Sequence, residues 1–249
     1  MKDLSDKSLT LKTNFSVTSA DTDMFSRIRL GGFVNFLIQS AIQSADDLGF
    51  GFGGIRKQQL FWVLSRLTLQ IDRPLKWYEE VEVETWPKNV ERIIYLRDFL
   101  IRDKSKNIVA KATSGWLAVD MNTKRPKRIE GVEADFFTHL RDKHAIEDSP
   151  EKLKPVDEGE HFEIQSSFYD IDLNKHVTST RYVDWMMDTF SIDFHENNYP
   201  RKLSINYLKE TKPKEKILLT RKKKGEKLFA FDGVNTGAAT DAFRGLIEF

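Results

Sequence analysis

The sequence predicts an α+β chain made of two similar halves, each a long helix enclosed by an antiparallel sheet. Three observations predict it: a weak internal repeat, a helical segment that is apolar nearly all round, and runs of short strands after each helix. The repeat begins with Asp21-Thr22-Asp23-Met24-Phe25-Ser26-Arg27-Ile28, which lies over Asp170-Ile171-Asp172-Leu173-Asn174-Lys175-His176-Val177 at a spacing of 149 residues. At the same spacing Phe33-Val34-Asn35-Phe36 falls on Tyr182-Val183-Asp184-Trp185. Residues 64–74 then match 203–213 at a spacing of 139, and 114–117 match 244–247 at 130. Three blocks in one order, separated by loop-sized changes in spacing, point to duplication.

Each copy opens with a strand, over residues 11–18 and 161–168. A helix over 30–48 follows in the first copy, with Phe33, Val34, Phe36, Leu37, Ile38, Ala41 and Ile42 leaving almost no polar face, so it must be covered on most sides. Its counterpart over 177–190 carries Tyr182, Trp185, Met186 and Phe190 on one stripe. Gly49, Gly51, Gly53 and Gly54 end the first helix. Strands are expected over 62–71, 81–84, 92–102 and 108–119, the last two as a hairpin around residues 103–107. In the second copy 203–210, 216–222, 228–231 and 242–249 play the same parts. A buried helix followed by an antiparallel sheet that curls around it is the hot-dog fold, so the expectation is a tandem, or double, hot-dog. Its N-terminal domain spans 1–134 and its C-terminal domain 160–249. Between them 135–159, charged and holding Pro150 and Pro155, reads as a short helix and linker.

Composition excludes several classes. The chain has 249 residues with a formal net charge of +1, which argues against a dedicated nucleic-acid binder. There is no cysteine, so disulfides, thiolate metal sites and a cysteine nucleophile are excluded. The five His residues show no metal-ligand spacing, and neither metal nor cofactor is expected. Residues 1–10 are polar and carry no visible signal or transit peptide, and no apolar run is long enough to span a bilayer. A cytoplasmic location is the expectation.

The strongest local signal is Asp172-Leu173-Asn174-Lys175-His176. In an extended segment alternate side chains share a face, so Asp172, Asn174 and His176 would point the same way. The segment runs into a helix start, whose free N–H groups suit a developing oxyanion. The plain alternative is a helix cap beside a surface histidine. The repeat favours chemistry, because the first copy keeps the aspartate as Asp23 but replaces Asn174 and His176 by Phe25 and Arg27. Glu210 shows the same asymmetry, since Ile71 stands at its position in the 139-residue register, and an acid there would partner His176.

Asn174-Lys175-His176-Val177, followed by Arg181-Tyr182-Val183-Asp184-Trp185, resembles the N-x-H-V-N-N-x-K-Y-x-x-W signature of the plant and bacterial acyl-acyl carrier protein thioesterases. Residues 206–211 are similar to that family's E-Y-R-R-E-C segment. The resemblance implies tandem hot-dog domains with the active site in the second, a catalytic set of Asp172, Asn174, His176 and Glu210, and hydrolysis of fatty acyl-carrier thioesters to end chain elongation. Here Thr178-Ser179 replaces the paired Asn, Arg181 the Lys, and Thr211 the frequent Cys, so a cysteine-nucleophile mechanism loses support. The bacterial branch fits better. Whether Asp172 or water attacks stays open. Phe33, Phe36, Leu37, Phe61 and Trp62 are candidates to line the acyl pocket, with plain core as the alternative for each. Lys124, Arg125, Lys127, Arg128, Arg221 and Lys222 are candidates to bind the acidic carrier protein, with a solvated hairpin as the alternative. No nucleic acid or membrane partner is implied, and oligomeric state stays open, homodimer included. A coenzyme A thioesterase, or an acyl- or carrier-binding module without turnover, remains the alternative function.

Overall fold

Residues 9–129 and 134–249 are described in the computed structural model of the chain. The polar reading of residues 1–10 therefore falls almost wholly outside the described residues, as does the stretch before the expected boundary at 134. Strand β1 (Leu11–Ser16) alternates half-buried and exposed side chains, as an edge strand with one solvated face should. A one-turn 3-10 helix (Ser19–Asp21) and a tight loop lead into α1 (Leu30–Leu48), which buries Phe33, Val34, Phe36, Leu37, Ala41 and Ala45. Gly49 stops it with φ 86°, a left-handed residue that only glycine takes without strain, while Phe50 N–H closes onto Ala45 O at 3.0 Å. The short α2 (Phe52–Arg56) precedes β2 (Leu60–Ile71), β3 (Glu80–Glu91), β4 (Ile94–Asp103) and β5 (Ile108–Asp120). After α3 (Ala134–Thr138) the second half runs β6 (Glu160–Gln165), a 3-10 turn (Phe168–Asp170), α4 (Ser179–Met187), α5 (Ile192–Asn197), β7 (Lys202–Tyr207), β8 (Lys216–Lys223), β9 (Leu228–Asn235) and β10 (Thr240–Glu248).

These strands form one antiparallel sheet in the order β1-β3-β4-β5-β2-β7-β10-β9-β8-β6. Counted from its own outer edge, each half has the same strand order. The halves meet where β2 pairs with β7, from Arg66 opposite Asn206 to Gln70 opposite Lys202. Both helices pack on the sheet, and one buried cluster holds Phe33, Val34 and Leu37 of α1 with Val183 and Met186 of α4. The chain thus has the α+β, helix-on-curled-sheet architecture expected of a double hot-dog.

Three expectations need correction. Strand β7 ends at Tyr207 rather than at residue 210, because the N–H groups of Leu208 and Lys209 both turn to Ala242 O and the chain leaves the sheet. The second helix is broken near Thr189, where Ser191 caps α5 through Phe194 N–H at 3.2 Å. The segment after α3 is no loose linker. Lys88 Nζ donates to Glu147 O, Ala145 N–H to Asp98, Leu153 N–H to Asn206 Oδ1 and Val156 N–H to Asp232 Oδ2, at 2.7–3.0 Å. Buried polar residues of the strands thus strap this segment across the sheet. Among the described residues no helix is long and apolar enough to cross a membrane.

The helices come closest where α1 presents Gly31 to Asp184 of α4, since a Cβ at Gly31 would lie 2.4 Å from Asp184 Oδ1. Gly31→Ala must therefore push the helices apart or displace a buried carboxylate. The expected cost is roughly 1–3 kcal/mol, read as a drop in melting temperature of about 2–4 °C per kcal/mol for a chain of this size. An unchanged melt would show that the contact carries no constraint.

Candidate active site

The Asp172–His176 segment is a tight loop rather than an extended one. Ile171 and Val177 bridge its ends, and Lys175 turns with φ 67°. Asp172 Oδ1 accepts the N–H of Asn174 at 2.8 Å and of His176 at 3.3 Å, while Asp172 N–H reaches His176 O at 2.8 Å. The expected common face for Asp172, Asn174 and His176 is thus replaced by a carboxylate folded back on its own backbone, a local competition that Asp side chains often win. Asn174 Nδ2 also approaches Asp172 Oδ2, at 3.4 Å.

A second segment brings the acid. Val177 N–H donates to Thr211 O at 2.8 Å, and Thr211 N–H donates to the buried Tyr182 hydroxyl at 3.2 Å. Pinned on both sides, this segment sets Glu210 Oε2 3.3 Å from His176 Nε2. The two side chains are 53% and 31% exposed, respectively, so water reaches the pair and its contribution to stability is small. Thr178 stands at the head of α4 without a side-chain capping bond.

The first half repeats this loop bond for bond without its chemistry. Asp23 Oδ1 accepts from Phe25 N–H and Arg27 N–H, both at 2.9 Å, and Ser26 turns with φ 59°. Arg27 fills the histidine position, paired with Asp23 at 2.9 Å and donating to His195 O at 2.8 Å. The equivalence of Glu210 shifts, however. Ile28 N–H reaches Leu75 O as Val177 N–H reaches Thr211 O, so Pro74, not Ile71, is the counterpart of Glu210. Ile71, the last residue of β2, corresponds in that register to Tyr207, the last residue of β7. Either way the first half has no acid at the position of Glu210.

Two residues assigned no role from sequence position the loop. Asp170 Oδ2 accepts from Ser167 N–H at 2.7 Å and from its hydroxyl at 2.8 Å. Arg181 bridges Asp170 at 2.7 Å and Asp184 at 2.8 Å, tying the loop to α4. The signal was present in the repeat, where Asp21 matches Asp170 and caps its own turn, whereas Arg181 falls on Gly32.

A cavity of about 440 Å³, part of it open to solvent, lies in the first half. Ala41, Ala45, Phe50, Trp62, Tyr95, Arg97 and Phe137 are among its walls. Of the expected pocket residues only Trp62 is in that lining. Phe33, Phe36 and Leu37 are core, Phe36 stacking on Phe15 at 4.6 Å, and Phe61 lies under Lys124. The reason is direction along α1: its first two turns face α4 and the sheet, and the small residues Ala41 and Ala45 near its end leave the space. Arg97 donates only to the Ser44 and Thr85 hydroxyls, and burial pushes its guanidinium down to about 9. Of the expected carrier-binding residues, Lys124, Arg125, Lys127 and Arg128 are exposed beyond β5. Arg221 instead pairs with Glu160 at 2.9 Å and Lys222 with Glu158 at 3.7 Å.

Burial works against ionisation of Asp170, but the Ser167 N–H and hydroxyl and the Arg181 guanidinium outweigh it and hold the carboxyl below its ordinary value. A depressed folded value stabilises above the unfolded pKa, about 3.9, and that stability is lost as pH falls through the lower folded value. The melting-temperature gap between wild type and Asp170→Asn should therefore be widest near neutrality and close as pH falls from about 5 towards about 2. A gap independent of pH would refute the ionised bridge.

Comparison with known proteins accords with this geometry. The Acyl-ACP thioesterase N-terminal domain family matches residues 8–136 and the Acyl-ACP thioesterase C-terminal domain family matches residues 153–241. The chloroplastic acyl-[acyl-carrier-protein] hydrolase FATB1 of Cuphea viscosissima is 28% identical over 215 residues, covering 81% of this chain and 51% of that protein. The chain thus spans about half the length of the curated relatives it matches. An acyl-ACP thioesterase from Bacteroides thetaiotaomicron superposes with a TM-score of 0.91 at 26% identity, covering 99% of this chain and 100% of that one. The 12:0-ACP thioesterase of Umbellularia californica shares the fold, with a TM-score of 0.83 at 22% identity over 96% of each chain. Two family domains in order, over most of the sequence and both sides of the β2–β7 junction, mean that the chain belongs to the acyl-ACP thioesterase family.

Proposed function

We propose that the chain hydrolyses fatty acyl thioesters of acyl carrier protein to free fatty acid and carrier thiol, with Glu210 and His176 as its acid–base pair. The observation that carries this reading is the 3.3 Å contact between them, on a loop whose first-half copy has Arg27 at the histidine position and Pro74 at that of the acid. Water held against the pair gives up its proton as its oxygen attacks the thioester carbonyl. The N–H groups at the start of α4 face the oxygen that gains charge, with Asn174 beside them. The C–S bond then breaks, and the proton passes to the departing sulfur. Asp172 serves as the brace of the loop. Asp23 makes the same bonds where there is no histidine, which favours attack by water over attack by Asp172.

In this reading residues 1–134 house the acyl chain, 135–159 connect, and 160–249 carry the chemistry. The cavity walled by Ala41, Phe50, Trp62 and Arg97 receives the chain, since its lining is largely apolar. A coenzyme A thioester is the second substrate class, favoured by nothing specific here, and relative rates on the two carriers decide between them.

His176→Ala and Glu210→Gln should each lower turnover by at least about a hundredfold, the usual scale for losing an acid–base group. Arg27→Met should spare the chemical step yet lower the melting temperature, because Arg27 ties its loop to the segment holding His195. Steady-state hydrolysis with thermal melts reads both, and a folded His176→Ala with near-normal turnover would end the assignment.

The buried Arg97 guanidinium makes one polar wall in an apolar cavity, where an alkyl chain gains nothing by advancing. Arg97→Met should extend the preferred acyl chain, each extra methylene adding about 0.8 kcal/mol, or about fourfold in kcat/KM. Fatty-acid profiles by gas chromatography test this, and an unchanged profile places the chain elsewhere.

A further inference from the structure

The loops around Glu210 and His176 expose three large apolar side chains and four lysines. We propose that this face, Phe168, Tyr169 and Leu173 with Lys175, Lys209, Lys212 and Lys214, is the docking surface for the acidic acyl carrier protein. The proposal rests on the reading that the substrate arrives on that carrier.

Phe168, Tyr169 and Leu173 are 83%, 92% and 83% exposed, on two turns joined to the candidate active site. Thr178 N–H donates to Asp170 O at 2.8 Å, so the aromatic turn and the histidine loop move as one piece. The backbone does not require these side chains. The first-half turn has the same capping carboxylate, Asp21 for Asp170, yet carries Ser19 and Ala20 where the second half carries Phe168 and Tyr169. Large apolar side chains held in water on one copy of a duplicated turn mark a contact surface.

Among the described residues no carboxylate pairs with the ammonium groups of Lys175, Lys209, Lys212 or Lys214. The acids of the same loops are engaged: Asp170 by Arg181, Glu210 by His176, Asp172 by backbone N–H groups, and Glu215 by Lys212 N–H and Asn235. Ser166 joins the two segments, its hydroxyl donating to Lys212 O at 2.8 Å and its carbonyl accepting from Lys214 N–H at 3.2 Å. In the first half the corresponding segment has its Arg73 neutralised by Glu79 and Asp103. Free cations around an apolar patch fit a partner that brings carboxylates, and a phosphodiester-linked arm, to the mouth of the site. The rival patch at Arg221 and Lys222 is already paired with Glu160 and Glu158.

The test compares kcat/KM on acyl carrier protein with kcat/KM on the same acyl group carried by N-acetylcysteamine, using the full chain. Lys209→Glu with Lys212→Glu, and separately Tyr169→Ser with Leu173→Ser, should lower the ratio at least about tenfold. Added salt should depress the wild-type carrier reaction and affect the lysine variant much less. Retained hydrolysis of the small ester shows that the variants fold. An unchanged ratio overturns the proposal, as does a fall produced by Lys124→Glu with Lys127→Glu instead. A wild-type dimer in sedimentation that Tyr169→Ser with Leu173→Ser dissolves would assign the face to a second copy. A wild-type chain that hydrolyses only the small ester removes the carrier reading itself, which is distinct from an unchanged ratio.

Discussion

Five residue pairs between β2 and β7 make one sheet out of two half-sheets, and the remaining architecture depends on that junction. Unjoined, each half would end in a strand with unpaired N–H and C=O groups, an open template for association. Joined, the two edges satisfy each other and bring α1 and α4 together over a shared core. The closeness of that approach is why Gly31 faces a carboxylate, and why burial raises the Asp184 carboxyl even though Arg181 opposes it.

Above this scaffold the loops are shaped by backbone bonds to a single aspartate in each half, Asp23 and Asp172. Because the carboxylate and main chain hold the loop, the side chains at its other positions are free to differ. At one position that freedom gives Arg27, which returns its charge to Asp23, and at the other His176, whose partner Glu210 comes from a separate segment. An exposed pair of this kind adds little to stability. The loop would stand equally well without it, so its presence needs a functional account.

Legibility in the sequence divides along the same physical line. Helix α1 is readable to its ends, because an all-round apolar stretch stopped by Gly49 has few other outcomes. The duplication is readable because the loop-forming aspartates recur. The strap over residues 145–156 is not, since its anchors Lys88, Asp98, Asn206 and Asp232 sit in strands where period-two alternation assigns polar residues to water. Nor is the end of β7, because leaving the sheet depends on Ala242 O accepting from both Leu208 and Lys209. The cavity near Ala41 and Ala45 is not legible either, because large apolar residues signal packing and it is small ones that leave room.

The two halves differ in the chain beyond their helices, and that difference bears on the proposed division of labour between them. After α4, the chain of residues 192–199 crosses to the first-half loop, where His195 O accepts from Arg27 and the Tyr199 hydroxyl donates to Ile28 O at 2.7 Å. The contacts leave the Arg27 side chain 15% exposed, although Met24 and Ser26 of the same loop stay in water. After α1, the corresponding chain does not return the favour. Phe50 and Ile55 turn under the sheet and pack with Leu60, Tyr95 and Phe137 in a second apolar cluster, beside which the cavity opens. The second-half loop consequently keeps His176 and Glu210 in reach of water, while the first half acquires an apolar hollow. A symmetric duplicate would have had both loops covered or both open. In the proposed reading, this difference in routing leaves the polar pair accessible in one half and provides the acyl-chain cavity in the other.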